Sequence, residues 1–203
     1  MTAEEVAAFF TGAEGYRFAR WGRPIVPVVF GVEPQTLATA KGAIEALVTL
    51  ARHRMAETDP ELGANLMLFF LRDWGELRQL PDLDRLIPGL DALVPRLEAR
   101  GAHTYRTFRF DAEGAIRAAF VFLRLDDDLA RMPAEDLLLA EMAQVMLLWG
   151  EGAFAGRSPL ASAGGRTILR PEVAGLIRAA YDPVLPVAAR DGAHALRLAA
   201  RLA

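Results

Sequence analysis

The chain contains no cysteine, which excludes a disulfide framework and any thiolate metal site. Histidine is nearly as scarce: of His53, His103 and His194, none has a second histidine three or four residues on. A histidine-held zinc would therefore need all three to converge through the fold, and they read instead as solvated or capping residues. No charge of one sign dominates. A formal net charge of −3 leaves no electrostatic footprint for nucleic acid or for an anionic membrane. Long apolar runs are missing as well. The longest uncharged ones, 24–32 and 142–150, fall far short of the roughly 20 residues that cross a bilayer. The acidic start, Met1-Thr2-Ala3-Glu4-Glu5, lacks the basic and apolar regions of a secretory signal, which predicts a cytoplasmic protein.

What is present is ordinary for a globular domain. At 203 residues, 53% apolar and 24% charged, the chain can bury a large core, and one domain over 1–203 is expected. Thr2-x-x-Glu5 is a capping box opening a short helix to about Gly12. Residues 25–30 are β-branched and aromatic, and Pro27 inside them points to an edge strand. From Thr36 to about Met55 apolar residues recur at helical spacing. Residues 65–71 are continuously apolar, as in a strand buried on both faces. A second helical region, 83–100, is interrupted by Pro88-Gly89. Thr104–Phe110 and 115–125 flank Asp111-Ala112-Glu113-Gly114 and read as a hairpin, so strand-helix-strand and hairpin occupy 20–125. A central helix over 133–149 starts at Pro133 with Glu135 and Asp136 in its first turn. From Leu137 onward it carries only Glu141 and Gln144 as polar residues, so it belongs in the core. Residues 150–166 read as loop, and helices at 171–181 and about 191–202 fill a C-terminal portion over 170–203.

The segment Ala140-Glu141-Met142-Ala143-Gln144 has the spacing of the zinc helix H-E-x-x-H, with Ala and Gln where the two imidazoles would stand. That chemistry needs both nitrogens to leave one helix face toward a single ion, with the Glu as base on the bound water. Only the Glu remains, so no metal and no cofactor is expected. A buried carboxylate needs a partner or a cavity. Two readings are open: a structural hydrogen bond to a neighbouring strand or loop, or a residual cleft in which a ligand or peptide meets Glu141 and Gln144 together. Gly150-Glu151-Gly152 and Gly164-Gly165-Arg166 match no nucleotide-binding pattern, and Ser158 and Ser162 sit in no nucleophile elbow. Arg17, Arg20 and Arg23, interleaved with Tyr16, Phe18 and Trp21, read either as an anion site or as a solvated segment anchored by its aromatics.

Separated segments resemble an uncharacterised bacterial family, catalogued as a domain of unknown function, whose layout is zincin-like. They are Arg20-Trp21 with Pro24-Ile25, Ala64-Asn65-Leu66, Glu141-x-x-Gln144, Ser158-Pro159-Leu160 and Tyr181-Asp182-Pro183-x-Leu185. Members place two consecutive glutamates before x-x-Gln, where this chain has Ala140 and Glu141. The resemblance implies an α+β fold: a mixed sheet packed on a long helix, then the central helix, then a helical C-terminal portion. With the central helix it nominates Glu141, Gln144, Asn65 and Arg20 as candidate binding residues. The expected function is a metal-free domain without peptidase activity that binds a small ligand or a protein partner. Two alternatives stand beside it: a hydrolase using Glu141 as general base, and a structural or oligomerisation module, with a homo-oligomer possible.

Overall fold

The computed structural model describes residues 1–79 and 83–202. Thr2 and Glu5 form the expected capping box on α1 (Ala3–Ala8). A small hairpin of β1 (Thr11–Gly12) and β2 (Gly15–Tyr16) follows, then β3 (Phe18–Ala19) and β4 (Pro27–Phe30). In α2 (Pro34–Leu50) the residues Ala40, Ile44, Leu47 and Val48 are buried, the stripe that a 3.6-residue period presents to a core. Next come β5 (Leu66–Leu71), a 3-10 turn over Trp74–Gln79, and two helices, α3 (Leu83–Leu86) and α4 (Leu90–Ala99). As expected, Pro88-Gly89 separates these two helices. The hairpin is formed by β6 (Thr104–Phe110) and β7 (Ile116–Arg124), followed by α5 (Asp127–Ala130) and the central α6 (Ala134–Val145). The chain ends with β8 (Leu160–Ala163), β9 (Arg166–Leu169), α7 (Pro171–Ala180), β10 (Ala188–Ala189) and α8 (Ala193–Ala199).

The fold is α+β. Its main sheet has the order β4-β5-β7-β6. β4 and β7 run parallel to β5, and β6 runs antiparallel to β7 on the outer edge. Alternate residues of β5 enter opposite cores: Leu66, Leu68 and Phe70 join one with α2, α6, α7 and α8, while Phe69 and Leu71 join another with the 3-10 turn, α3 and α4. Both faces being covered, β5 and β7 can be apolar without alternation. α6 lies inside the larger core, with Leu138 fully buried and Met142 and Val145 nearly so. Each such side chain contributes roughly 1.5–3 kcal/mol by leaving water.

Two expectations are corrected. The central helix stops at Val145, not near 149. Its last carbonyls are taken by aromatic donors from elsewhere, Trp21 Nε1 to Val145 O at 2.8 Å and Tyr181 OH to Met146 O at 2.8 Å. Leu147 then bridges to Arg20 as extended chain, so tertiary partners replace the next helical turn. Residues 150–166 are not all loop either. Ser162 sits in β8, and β8 turns into β9 through Gly164 and Gly165, with φ of 58° and 75°. Two successive positive φ values make the tight turn that matches strand twist.

Candidate functional site

Glu141 projects from α6 toward the edge strand β6 and is 5% exposed. Arg106 meets it there, with Nε 2.9 Å and Nη2 2.6 Å from the same carboxylate oxygen, Oε2. Burial pushes the Glu141 carboxyl above its ordinary range, and the Arg106 charge and hydrogen bonds oppose that rise. Gln144 does not share this partner. Its amide donates back to Ala140 O within the helix, at 3.2 Å, so the two polar residues of α6 act separately. Nothing in the sequence motif singles out Arg106. The signal available was its register, since Arg106 shares a strand face with Phe108 and Phe110, where a lone cation calls for a carboxylate.

Asn65 is fully buried at the start of β5. Its Oδ1 accepts from Val26 N at 2.8 Å, and its Nδ2 donates to Pro24 O at 2.9 Å and to Asp59 Oδ2 at 3.0 Å. All its side-chain capacity along these directions goes to tying the start of β4 to a tight turn at Asp59. Asp59 is itself buried and also accepts from the Glu61 and Leu62 amides and from Arg23. Burial works to raise its pKa, but these donors outweigh it and hold the carboxyl at about 2.

Arg20 lies elsewhere again. Its guanidinium stands 5.4 Å from the Tyr181 ring and donates to Leu185 O at 3.4 Å, while its Nε is buried without a partner. Among the described residues no hydrogen bond or ion pair joins Glu141, Gln144, Asn65 and Arg20 to one another. Two of the three histidines, His194 and His53, depart from the solvated or capping reading. His194 is 4% exposed, held by Tyr16 OH at 2.7 Å and pressed on Phe18. His53 is half-buried, bonded to Arg23 O and set against Tyr181. His103 pairs with Asp126 at the surface. Among the described residues no three His, Asp or Glu side chains converge as a metal site would require, and no helix is long and apolar enough to cross a membrane.

Beyond Tyr181 the surface opens into a cleft of about 690 Å³, walled by Arg52, Arg178, Arg201, Tyr181 and Asp182. Three helix ends deliver the arginines: Arg52 follows α2 with a left-handed φ of 52°, Arg178 is in the last turn of α7, and Arg201 follows α8. Asp182 is already engaged by Arg201 Nε at 2.5 Å, whereas Arg52 and Arg178 have no carboxylate partner among the described residues. A second cleft, of about 570 Å³ between α1 and the chain at 152–157, differs in that its cation, Arg157, is paired with Glu172 at 3.2 Å. No family model, curated protein or solved structure matches the chain.

Proposed function

We propose that the chain is a metal-free, zincin-like domain without peptidase chemistry that works by binding, and that its ligand is a small anion held in the arginine-walled cleft. The observation that carries this reading is the excess of guanidinium over carboxylate around a concavity large enough for a small molecule. Each helix end offsets part of the charge of its arginine and Asp182 offsets Arg201, which leaves the forks of Arg52 and Arg178 to meet an oxyanion. A mixed sheet packed on α2, followed by α6 and a helical C-terminal portion, supports the zincin-like layout. The enclosure of Glu141, 5% exposed and with Oε2 taken by Arg106, tells against it as a hydrolase base, since a base must reach the water or substrate whose proton it takes.

Calorimetric titration of the full chain with pyrophosphate and with citrate tests the proposal. Saturable binding of either, lost in Arg178→Ala and weakened in Arg52→Gly, is expected. Absence of binding, or binding indifferent to both substitutions, would overturn the cleft. One zinc per chain by elemental analysis would overturn the metal-free part.

A further inference from the structure

We infer that β6 is a self-pairing edge, through which two copies of this chain join their sheets about a two-fold axis centred on Thr107. The inference is independent of the ligand cleft.

Hydrogen-bond parity shows which way β6 faces. Arg124 N donates to His103 O at 2.9 Å, while Ala119 N donates to Asn65 O and Leu125 N to Leu71 O on the β5 side. Even-numbered residues of β7 therefore serve β6, and in the register Thr104↔Leu123 their partners are Tyr105, Thr107 and Arg109. The backbone groups of Thr104, Arg106 and Phe108 point the other way, away from the sheet. Among the described residues they meet a single partner, the Arg109 guanidinium on Phe108 O at 3.2 Å. Every residue of β6 is partly exposed, in contrast to the buried β7.

Open edges are normally guarded. The opposite edge, β4, is four residues long and carries Pro27, which cannot donate. β6 is longer and lacks proline; Arg106 is drawn inward to Glu141, and Arg109 is held on Leu86 O while also touching the outward carbonyl of Phe108, whose second lone pair can still accept from a strand.

The occupant that fits is a second β6. An antiparallel pairing centred on Thr107 sets Thr104 against Phe110, Arg106 against Phe108, and Thr107 against itself, so the outward groups of each strand find outward groups of the other. It also sets Tyr105 against Arg109. Each arginine then faces an aromatic ring and no like charges are opposed, the arrangement that favours cross-strand pairs. A two-fold contact is self-complementary by nature. A lone strand pair buries less area than a permanent dimer, so the assembly dissociates on dilution.

Because the chain has no cysteine, Thr107→Cys places one thiol on the axis. Thr107 would face its copy as a non-hydrogen-bonded pair, whose Cα separation of roughly 4.5 Å lies within the range a disulfide spans. Mild oxidation of the full chain should convert Thr107→Cys largely to a linked dimer and leave Ala38→Cys, on the exposed side of α2, monomeric. Sedimentation of the natural chain should show concentration-dependent dimer. Phe108→Pro removes an outward N–H without touching the β6–β7 ladder and should weaken that dimer about tenfold or more, with its melt recorded alongside. A Thr107→Cys chain that stays monomeric under oxidation, or links no faster than Ala38→Cys, overturns the inference. So does a natural chain that sediments as monomer at its highest soluble concentration, including one whose edge proves to capture a different protein.

Discussion

Removing Arg106 while keeping Glu141 should be the most damaging polar change near the central helix, and more damaging than the reverse. The two side chains are unequally enclosed, at 21% exposure for Arg106 and 6% for Glu141. If Glu141 is replaced by Gln, the guanidinium on an edge strand can turn to water, and the loss is roughly 1–2 kcal/mol for the charge-assisted hydrogen bonds. If Arg106 is replaced by Met, the carboxylate is left behind inside. Breaking a fully buried pair that way costs about 3–5 kcal/mol, and the partial exposure here reduces it to roughly 2–4 kcal/mol. The sign of the pH dependence follows from the raised carboxyl of Glu141. A carboxyl whose folded pKa lies above its unfolded one keeps a proton in the native state that the unfolded chain has released. Its favourable contribution is present in acid and lost as pH rises through the folded value. Arg106→Met raises that value further, so its deficit against the parent should be largest near neutrality and shrink near pH 5. Urea unfolding at both pH values measures this. The double variant Glu141→Leu/Arg106→Met should return to within about 1 kcal/mol of the parent, because no orphaned charge remains. An Arg106→Met deficit that is no larger than that of Glu141→Gln, or that ignores pH, would refute the reasoning.

Other outcomes follow from the same geometry. Leu138→Ala, at a fully buried site on α6, should lower stability by roughly 2–5 kcal/mol in denaturant titration, through lost contacts and a residual cavity. Asn65→Leu strips partners from Val26 N, Pro24 O and Asp59 and should cost about 2–4 kcal/mol, with an unchanged urea midpoint as the contrary result. Burial, with Arg197 and Arg201 nearby, pushes the His194 pKa down to about 4. The unfolded chain takes up a proton near 6.5 that the folded form refuses, so stability is full above 6.5 and falls as pH drops toward 4. The loss is roughly 1–3 kcal/mol, and a melting temperature flat over that interval would contradict it.

The sequence displays periodicity well and partnership poorly. The unbroken apolar run at 65–71 announced a strand with both faces covered, because no side of it could meet water. The stripe in α2 and the proline in β4 were equally direct. The end of α6 was not legible, since nothing in Met146-Leu147-Leu148-Trp149 forbids another helical turn. The indole of Trp21 and the hydroxyl of Tyr181 intervene from distant parts of the chain. The same holds at the polar positions. Composition requires that Glu141 and Asn65 have partners, but Arg106 and Asp59 are supplied by strand register and by a turn, which local pattern does not encode. The cleft has no signature in the sequence because its arginines are spread over 150 positions, from Arg52 to Arg201, and only converging helix ends bring them together.

The strand at 18–21 has a consequence for how the protein is made. Phe18 and Ala19 pair with Ala189 and Ala188, Arg20 bridges to Leu147, and Trp21 to Ile116. The segment thus precedes its β10 partners by about 170 residues of chain. At roughly 5–20 residues per second, Phe18 and Trp21 wait on the order of 10–30 s before β10 exists. Throughout that interval Phe18 lacks its β10 partner, while Trp21 meets Ile116 and Val145 only once those residues have followed. A chain stalled before residue 188 therefore carries an apolar segment at 18–21 whose β10 partners are missing.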